Sequence, residues 1–219
     1  MKKILYTLIA LGMACFVNAQ KSDFSTKRYF GVNYGYGISG ITFQPRLDQK
    51  SYSGSYTGGL TFKYMGEKYL AFQAELNYTH RGFKMKEENP LIVPRTYNSI
   101  MLPMMGQGVI TYKRASVLIN LGCYASYMLN SKYQAGSTAS NGEFEFLNRR
   151  DRRYEFGVLG GLGLGLKLNP FMLQIESRYY YGLTNLYNPD YTNNRPYSSR
   201  QYQLQVSAAL LYDLGSLVR

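Results

Sequence analysis

Phe30-Gly31-Val32-Asn33-Tyr34-Gly35-Tyr36-Gly37-Ile38-Ser39 alternates a bulky apolar residue with a small or polar one across the whole stretch. Successive side chains of a strand point to opposite faces, so Phe30, Val32, Tyr34, Tyr36 and Ile38 share one face and Gly31, Asn33, Gly35, Gly37 and Ser39 the other. A globular sandwich would turn the bulky face inward. A membrane barrel turns it outward to lipid and keeps the small, polar face for a narrow lumen. The other strands must decide between them.

The alternation recurs along the chain. A strand over 28–43 is followed by strands over 53–65, 69–83, 97–112, 117–129, 153–168, 171–183 and 200–214. In the third, Leu70, Phe72, Leu76 and Tyr78 oppose Gln73, Glu75, Asn77, Thr79 and Arg81. In the sixth, Leu162, Leu164 and Leu166 oppose Gly161, Gly163, Gly165 and Lys167. The eighth sets Leu204, Val206 and Leu210 against Gln203, Gln205, Ser207 and Asp213. The fourth is less regular: Met101, Met105 and Val109 make its lumen face unusually apolar. Pro103 interrupts it, and since proline lacks a ladder donor a bulge is expected there.

Connections alternate in length. Tight turns at 66–68, 113–116 and 169–170 lie between longer segments at 44–52, 84–96, 130–152 and 184–199. Short periplasmic turns and long extracellular loops are how outer-membrane barrels are built. The expected fold is therefore all-β, an eight-stranded antiparallel up-and-down transmembrane β-barrel. Aromatic belts are a separate check. Phe30, Tyr64, Tyr112, Phe171 and Tyr212 fall beside the turns on the lipid parity, and Tyr56, Tyr78, Tyr127, Tyr154, Tyr181 and Tyr202 fall near the opposite rim.

The ends of the chain agree. Lys2 and Lys3, an apolar run and Val17-Asn18-Ala19 form the layout of a secretory signal peptide over 1–19, cleaved after 19 or 20. The run is too short to span a bilayer as a helix. A periplasmic segment over 20–27, the barrel over 28–214 and a periplasmic tail over 215–219 follow. Of the two cysteines only Cys123 lies beyond the signal, so no intramolecular disulfide is expected. The net charge is +12, but an exported chain without a basic binding motif is not read as a nucleic-acid binder.

Glu75-Leu76-Asn77-Tyr78-Thr79-His80-Arg81-Gly82 resembles the E-L-x-Y-x-x-K/R-G segment of the PorT-like outer-membrane β-barrel proteins. The stretch 99–105 around Leu102-Pro103, the glycine-rich strand from Phe156 to Gly165 and Tyr181-Gly182-Leu183-Thr184-Asn185-Leu186 are similar to later segments of that family, in the same order. Met101 stands where the family often has an acidic residue, and the chain ends Leu217-Val218-Arg219 without a terminal aromatic residue. The resemblance implies an outer-membrane barrel and, by analogy alone, an accessory part in type IX protein secretion. Fold does not carry function, so that role is kept as an alternative.

Parity sends Glu75, Arg81, Glu155, Lys167, Glu176, Arg178 and Asp213 to the lumen. They are expected to form an ion-pair network that fills the interior; the rival reading is a gated ion or proton path, with glycines on strands one and six leaving room for water. Lys84, Lys86, Arg95, Arg149, Arg150, Arg152 and Arg153 form a candidate basic rim facing lipopolysaccharide phosphates; the alternative is a solvated loop. Phe144 to Leu147 could extend a strand or offer a partner-binding edge. His80, the single histidine, falls on the outer surface without a same-face serine on its own strand. No catalytic, cofactor-binding or metal-binding residues are assigned. The expected partners are outer-membrane lipid, lipopolysaccharide and a protein reached through the extracellular loops. A structural or interaction barrel is the leading reading, with the secretion accessory, a narrow pore and a lipid-modifying enzyme behind it.

Overall fold

The computed structural model describes residues 25–44, 49–86, 92–133, 152–187 and 198–215. The signal segment 1–19, the tail beyond 215 and the stretch Phe144 to Leu147 lie outside the described residues. Eight strands run in order: β1 (Lys27–Gln44), β2 (Gln49–Met65), β3 (Leu70–Lys86), β4 (Ile92–Tyr112), β5 (Ala115–Tyr133), β6 (Tyr154–Leu168), β7 (Phe171–Asn185) and β8 (Ser198–Asp213). Each pairs antiparallel with its chain neighbour, and β8 closes on β1 from Tyr29↔Asp213 to Gln44↔Ser198. Closure leaves no unpaired edge, which a backbone inside a bilayer requires.

Burial is inverted relative to a water-soluble protein. Val32, Leu76, Leu121, Leu162, Leu164 and Ile175 are exposed on the outer wall, while Lys63, Glu75, Arg81, Glu176 and Arg178 are buried inside. The alternation of Phe30 to Ile38 is the reason: the period of two that sends one side chain out to lipid sends the next into the lumen. The register lines up the aromatic belts. Tyr212 of β8 sits opposite both Phe30 and Phe171, with its ring 5.4 Å from that of Phe171; at the other rim the rings of Tyr127 and Tyr154 are 5.1 Å apart.

Two details differ from the expectation. The strands rise further above the outer rim, β4 beginning at Ile92 and β5 running to Tyr133. Their alternation continues past the aromatic belt, so the ladder does not stop where the lipid does. Pro103 also makes no bulge. It pairs with Tyr124 in an unbroken register with β5, and the shift lies at Asn98/Ser99. On the β3 side, pairing runs up to Ala74↔Met104 and resumes at Asn77↔Met101, so the ladder lapses beside Pro103 and resumes in the same register. A missing N–H removes a hydrogen bond; it does not require an extra residue.

The lumen is layered. At the periplasmic end Tyr29, Met65, Ala71, Val109, Leu118, Met172, Ala209 and Leu211 form an apolar cluster. At the extracellular end Ile41, Phe43, Phe83, Tyr97, Met128 and Leu186 form another. A third, of Met101, Met105, Tyr124, Leu159 and Tyr180, lines one wall between them. The apolar face of β4 supplies these clusters, which explains its departure from a polar lumen pattern.

Candidate functional site

Charged and amide side chains from several strands meet in the central lumen. Arg178 on β7 donates to Glu75 on β3 at 2.8 Å and also to Glu176, two residues away on its own strand. Glu75 accepts from Gln73 Nε2 and Asn77 Nδ2, each at 2.8 Å. Asn33 of β1 joins through Asn77, donating to its Oδ1 at 2.9 Å. Glu176 accepts from Gln107 Nε2 at 2.9 Å and Asn120 Nδ2 at 3.1 Å. The network thus crosses from β1 to β5 without interruption. Such saturation is what a buried carboxylate needs, since an unpaired one is costly.

A second pair lies nearer the outer end. Arg81 donates to Glu155 at 2.6 Å and to Ser126 Oγ at 3.2 Å. The Tyr124 hydroxyl donates to Glu155 at 2.6 Å. Tyr97 covers the Arg81 guanidinium, its ring centroid 5.3 Å away, and its hydroxyl donates to Gln201.

The charge groups expected in the lumen divide by height. Glu75, Arg81, Glu155, Glu176 and Arg178 make these central contacts. Lys167 and Asp213 do not; they are half-buried and gather with Lys27 at the periplasmic mouth, on the water side of the apolar cluster. Parity gave their face but not their depth. Lys63 shares a face with Thr61 but is not among the charges expected in the network. It is fully buried in the central lumen, attracted by Glu176 and repelled by Arg178, and its ammonium has no hydrogen-bond partner among the described residues. With it the central lumen holds the cations Lys63, Arg81 and Arg178 against Glu75, Glu155 and Glu176.

The glycines do not leave room for water at the network. A Cβ on Gly163 would stand 2.6 Å from Cγ of Glu176, and one on Gly161 would stand 3.0 Å from Cγ of Arg178. The space they vacate is filled by the charged side chains of β7.

The basic rim is corrected in part. Arg95 does not face lipid: it is 3% exposed, donates to the Tyr187 hydroxyl at 2.5 Å and stacks on that ring at 5.4 Å. It continues the inward parity of Tyr97 and Ser99 above the membrane. Arg152 and Arg153 line a small cavity at the extracellular mouth with Arg81, Ser99 and Glu155, with an enclosed volume of about 10 Å³, room for about one water. Lys84 lies on the outward parity and is half-buried; the side chain of Lys86 is not among those described, and Arg149 and Arg150 lie outside the described residues. Arg200 is exposed on the outer face, 3.4 Å from the Tyr181 hydroxyl.

His80 lies on the outer wall as parity requires. Its Nδ1 is 2.6 Å from Asn98 Oδ1, and its ring stacks on Tyr56 with centroids 4.9 Å apart and planes at 18°. The outer-face hydroxyl of Ser51 is hydrogen-bonded to Tyr202 at 3.1 Å. Among the described residues no serine hydroxyl bonds to the imidazole.

A family model described as an outer membrane protein beta-barrel domain matches residues 18–188. Among solved structures, OprG from Pseudomonas aeruginosa is 12% identical, with 87% of this chain and 96% of that one covered and a TM-score of 0.56. Ail, the attachment invasion locus protein of Yersinia pestis, is 16% identical over 84% of this chain and 98% of its own, with a TM-score of 0.45. No curated protein matches the chain. At these identities the likeness to OprG is one of fold.

Proposed function

We propose, from the premise that this chain belongs to the outer membrane protein β-barrel domain family and lies in the bacterial outer membrane, that it works as a non-enzymatic interaction barrel whose active surface is its extracellular end. The observation that carries the reading is the filled lumen. Arg81 pairs with Glu155 and Arg178 with Glu75 across the strands, and an apolar cluster stands toward each end. A small barrel packed in this way has no through-route to serve, so its outer rim and loops remain as the working parts. His80 adds to this, since its ring is engaged by Asn98 and Tyr56. The PorT-like resemblance is the whole support for a secretion role, and no contact described above adds to it.

The first partner is lipopolysaccharide. Lys84 and Arg200 project from the outer wall near the extracellular aromatic belt, at the level of an outer-leaflet headgroup. Charge-assisted hydrogen bonds from them to phosphates would hold the barrel in that leaflet. The test reconstitutes the wild type and a Lys84→Gln/Arg200→Gln variant in vesicles with and without lipopolysaccharide. Lipopolysaccharide should raise the unfolding midpoint of the wild type and raise it less in the variant. Equal increments would remove the lipopolysaccharide contact. A protein partner is tested by pull-down from envelope extracts with residues 134–151 deleted, and unchanged capture would remove that reading.

A further inference from the structure

We propose that a groove on the lipid-facing wall, beside the β4–β5 turn, is a binding site for one anionic phospholipid of the periplasmic leaflet, with an acyl chain along the groove and the phosphate at Lys113 and Arg114. The site lies at the opposite end of the barrel from the rim and loops, so it goes beyond the extracellular reading.

The cross-strand register makes the groove. Ala115 of β5 is paired with Tyr112 of β4 and with Leu166 of β6, and all three point outward. One row further into the membrane, Val117 stands between Ile110 and Leu164 in the same way. The methyl of Ala115 is far shorter than the ring and the isobutyl group beside it, so the wall sinks there. The result is a depression of about 370 Å³, open along one side and lined almost wholly by apolar side chains. That is within the size range of small-ligand pockets. Apolar walls facing the bilayer suit a hydrocarbon chain and offer a headgroup nothing to bond.

Charge selects the lipid. The hairpin turn at the periplasmic end of the groove carries Lys113 and Arg114, both exposed. The Lys113 ammonium lies 5.5 Å over the ring of Tyr112, which lines the groove. Tyr112 belongs to the periplasmic aromatic belt, the level of the headgroups. The turn is held in place: the Arg114 carbonyl accepts from the backbone N–H of Lys167 at 2.8 Å, and the hydroxyls of Thr111 and Ser116 are 3.0 Å apart across the hairpin. The turn on the other side of the groove, Asn169-Pro170, carries no charge. Asp213, whose N–H is bonded to the Pro170 carbonyl, faces the lumen mouth with Lys27. Cations at the interfacial end of an apolar groove attract an acidic headgroup, and a zwitterionic one gains less.

The experiment takes the full barrel, freed of lipid in maltoside micelles, and titrates it with phosphatidylglycerol or phosphatidylcholine of identical acyl chains, read by native mass spectrometry. The wild type should bind one phosphatidylglycerol roughly tenfold more tightly than phosphatidylcholine, and the Ala115 methyl resonance should shift saturably with it. Lys113→Gln with Arg114→Gln should bring phosphatidylglycerol down to the phosphatidylcholine level. Ala115→Leu, which fills the groove, should weaken both lipids. Lys68→Gln, at the β2–β3 turn, should bind as the wild type does. Should a groove variant fail to fold, the methyl titration of the wild type with the two lipids carries the test. Equal affinity of the wild type for the two lipids overturns the proposal, as does wild-type affinity in the groove variants. So does a lipid-free dimer that Ala115→Leu splits, since the occupant would then be a second copy of this chain.

Discussion

The guanidinium of Arg178 on β7 meets the carboxylate of Glu75 on β3 at 2.8 Å, across the lumen and between residues 103 positions apart in the chain. Both side chains are 2% exposed, so neither charge has water to fall back on. Arg178→Met should destabilise the barrel by about 3 kcal/mol or more, because it leaves both Glu75 and Glu176 short of a cation. Arg178→Met combined with Glu75→Gln should recover part of that loss. Urea unfolding in lipid vesicles measures both, and a wild-type midpoint for the single variant would show that the pair holds nothing together.

Gly163 and Gly160 lie three residues apart on β6 but face opposite sides. A Cβ at Gly163 would run into Glu176, whereas at Gly160 the nearest atom is 3.8 Å away. Gly163→Ala should therefore lower stability by about 1–3 kcal/mol through overpacking, and Gly160→Ala should be close to neutral. Similar unfolding midpoints for the two variants would contradict the assignment of faces.

Cys123 is exposed on the outer wall, opposite Met104 and Val158 and well inside the strands. In phospholipid vesicles it should resist a charged maleimide and react with a lipid-soluble one. Labelling by the charged reagent at the rate of a water-exposed thiol would place that face in water and defeat the membrane orientation.

The periplasmic cluster around Tyr29, Met172 and Leu211 and the extracellular cluster around Phe43 and Phe83 pack inside the lumen toward its two ends. Planar bilayers containing the purified barrel should show no discrete conductance steps at moderate voltage. Reproducible single-channel openings would require a continuous water path and would reject the filled lumen on which the proposed function rests.

Much of this was legible in the residues themselves. The alternation from Phe30 to Ser39, repeated in β3, β6 and β8, specified strand, face and membrane orientation together, because a one-residue slip would put leucine in the lumen and glutamate in lipid. For the same reason the alternation alone sends Arg81, Glu155 and Arg178 to the interior. What parity cannot supply is height and partner. Lys167 and Glu176 share a face by the same rule, yet one reaches the periplasmic mouth and the other the central network.

The sequence by itself determined the barrel, its strand count and which residues look inward, since these follow from a local period of two and from turn length. Only the closed sheet decided that Arg178 meets Glu75, that Arg95 turns in to Tyr187, and that apolar side chains gather toward both ends of a lumen whose centre holds the charges. Those outcomes depend on the stagger between neighbouring strands, a relation between distant segments that no single stretch of chain contains.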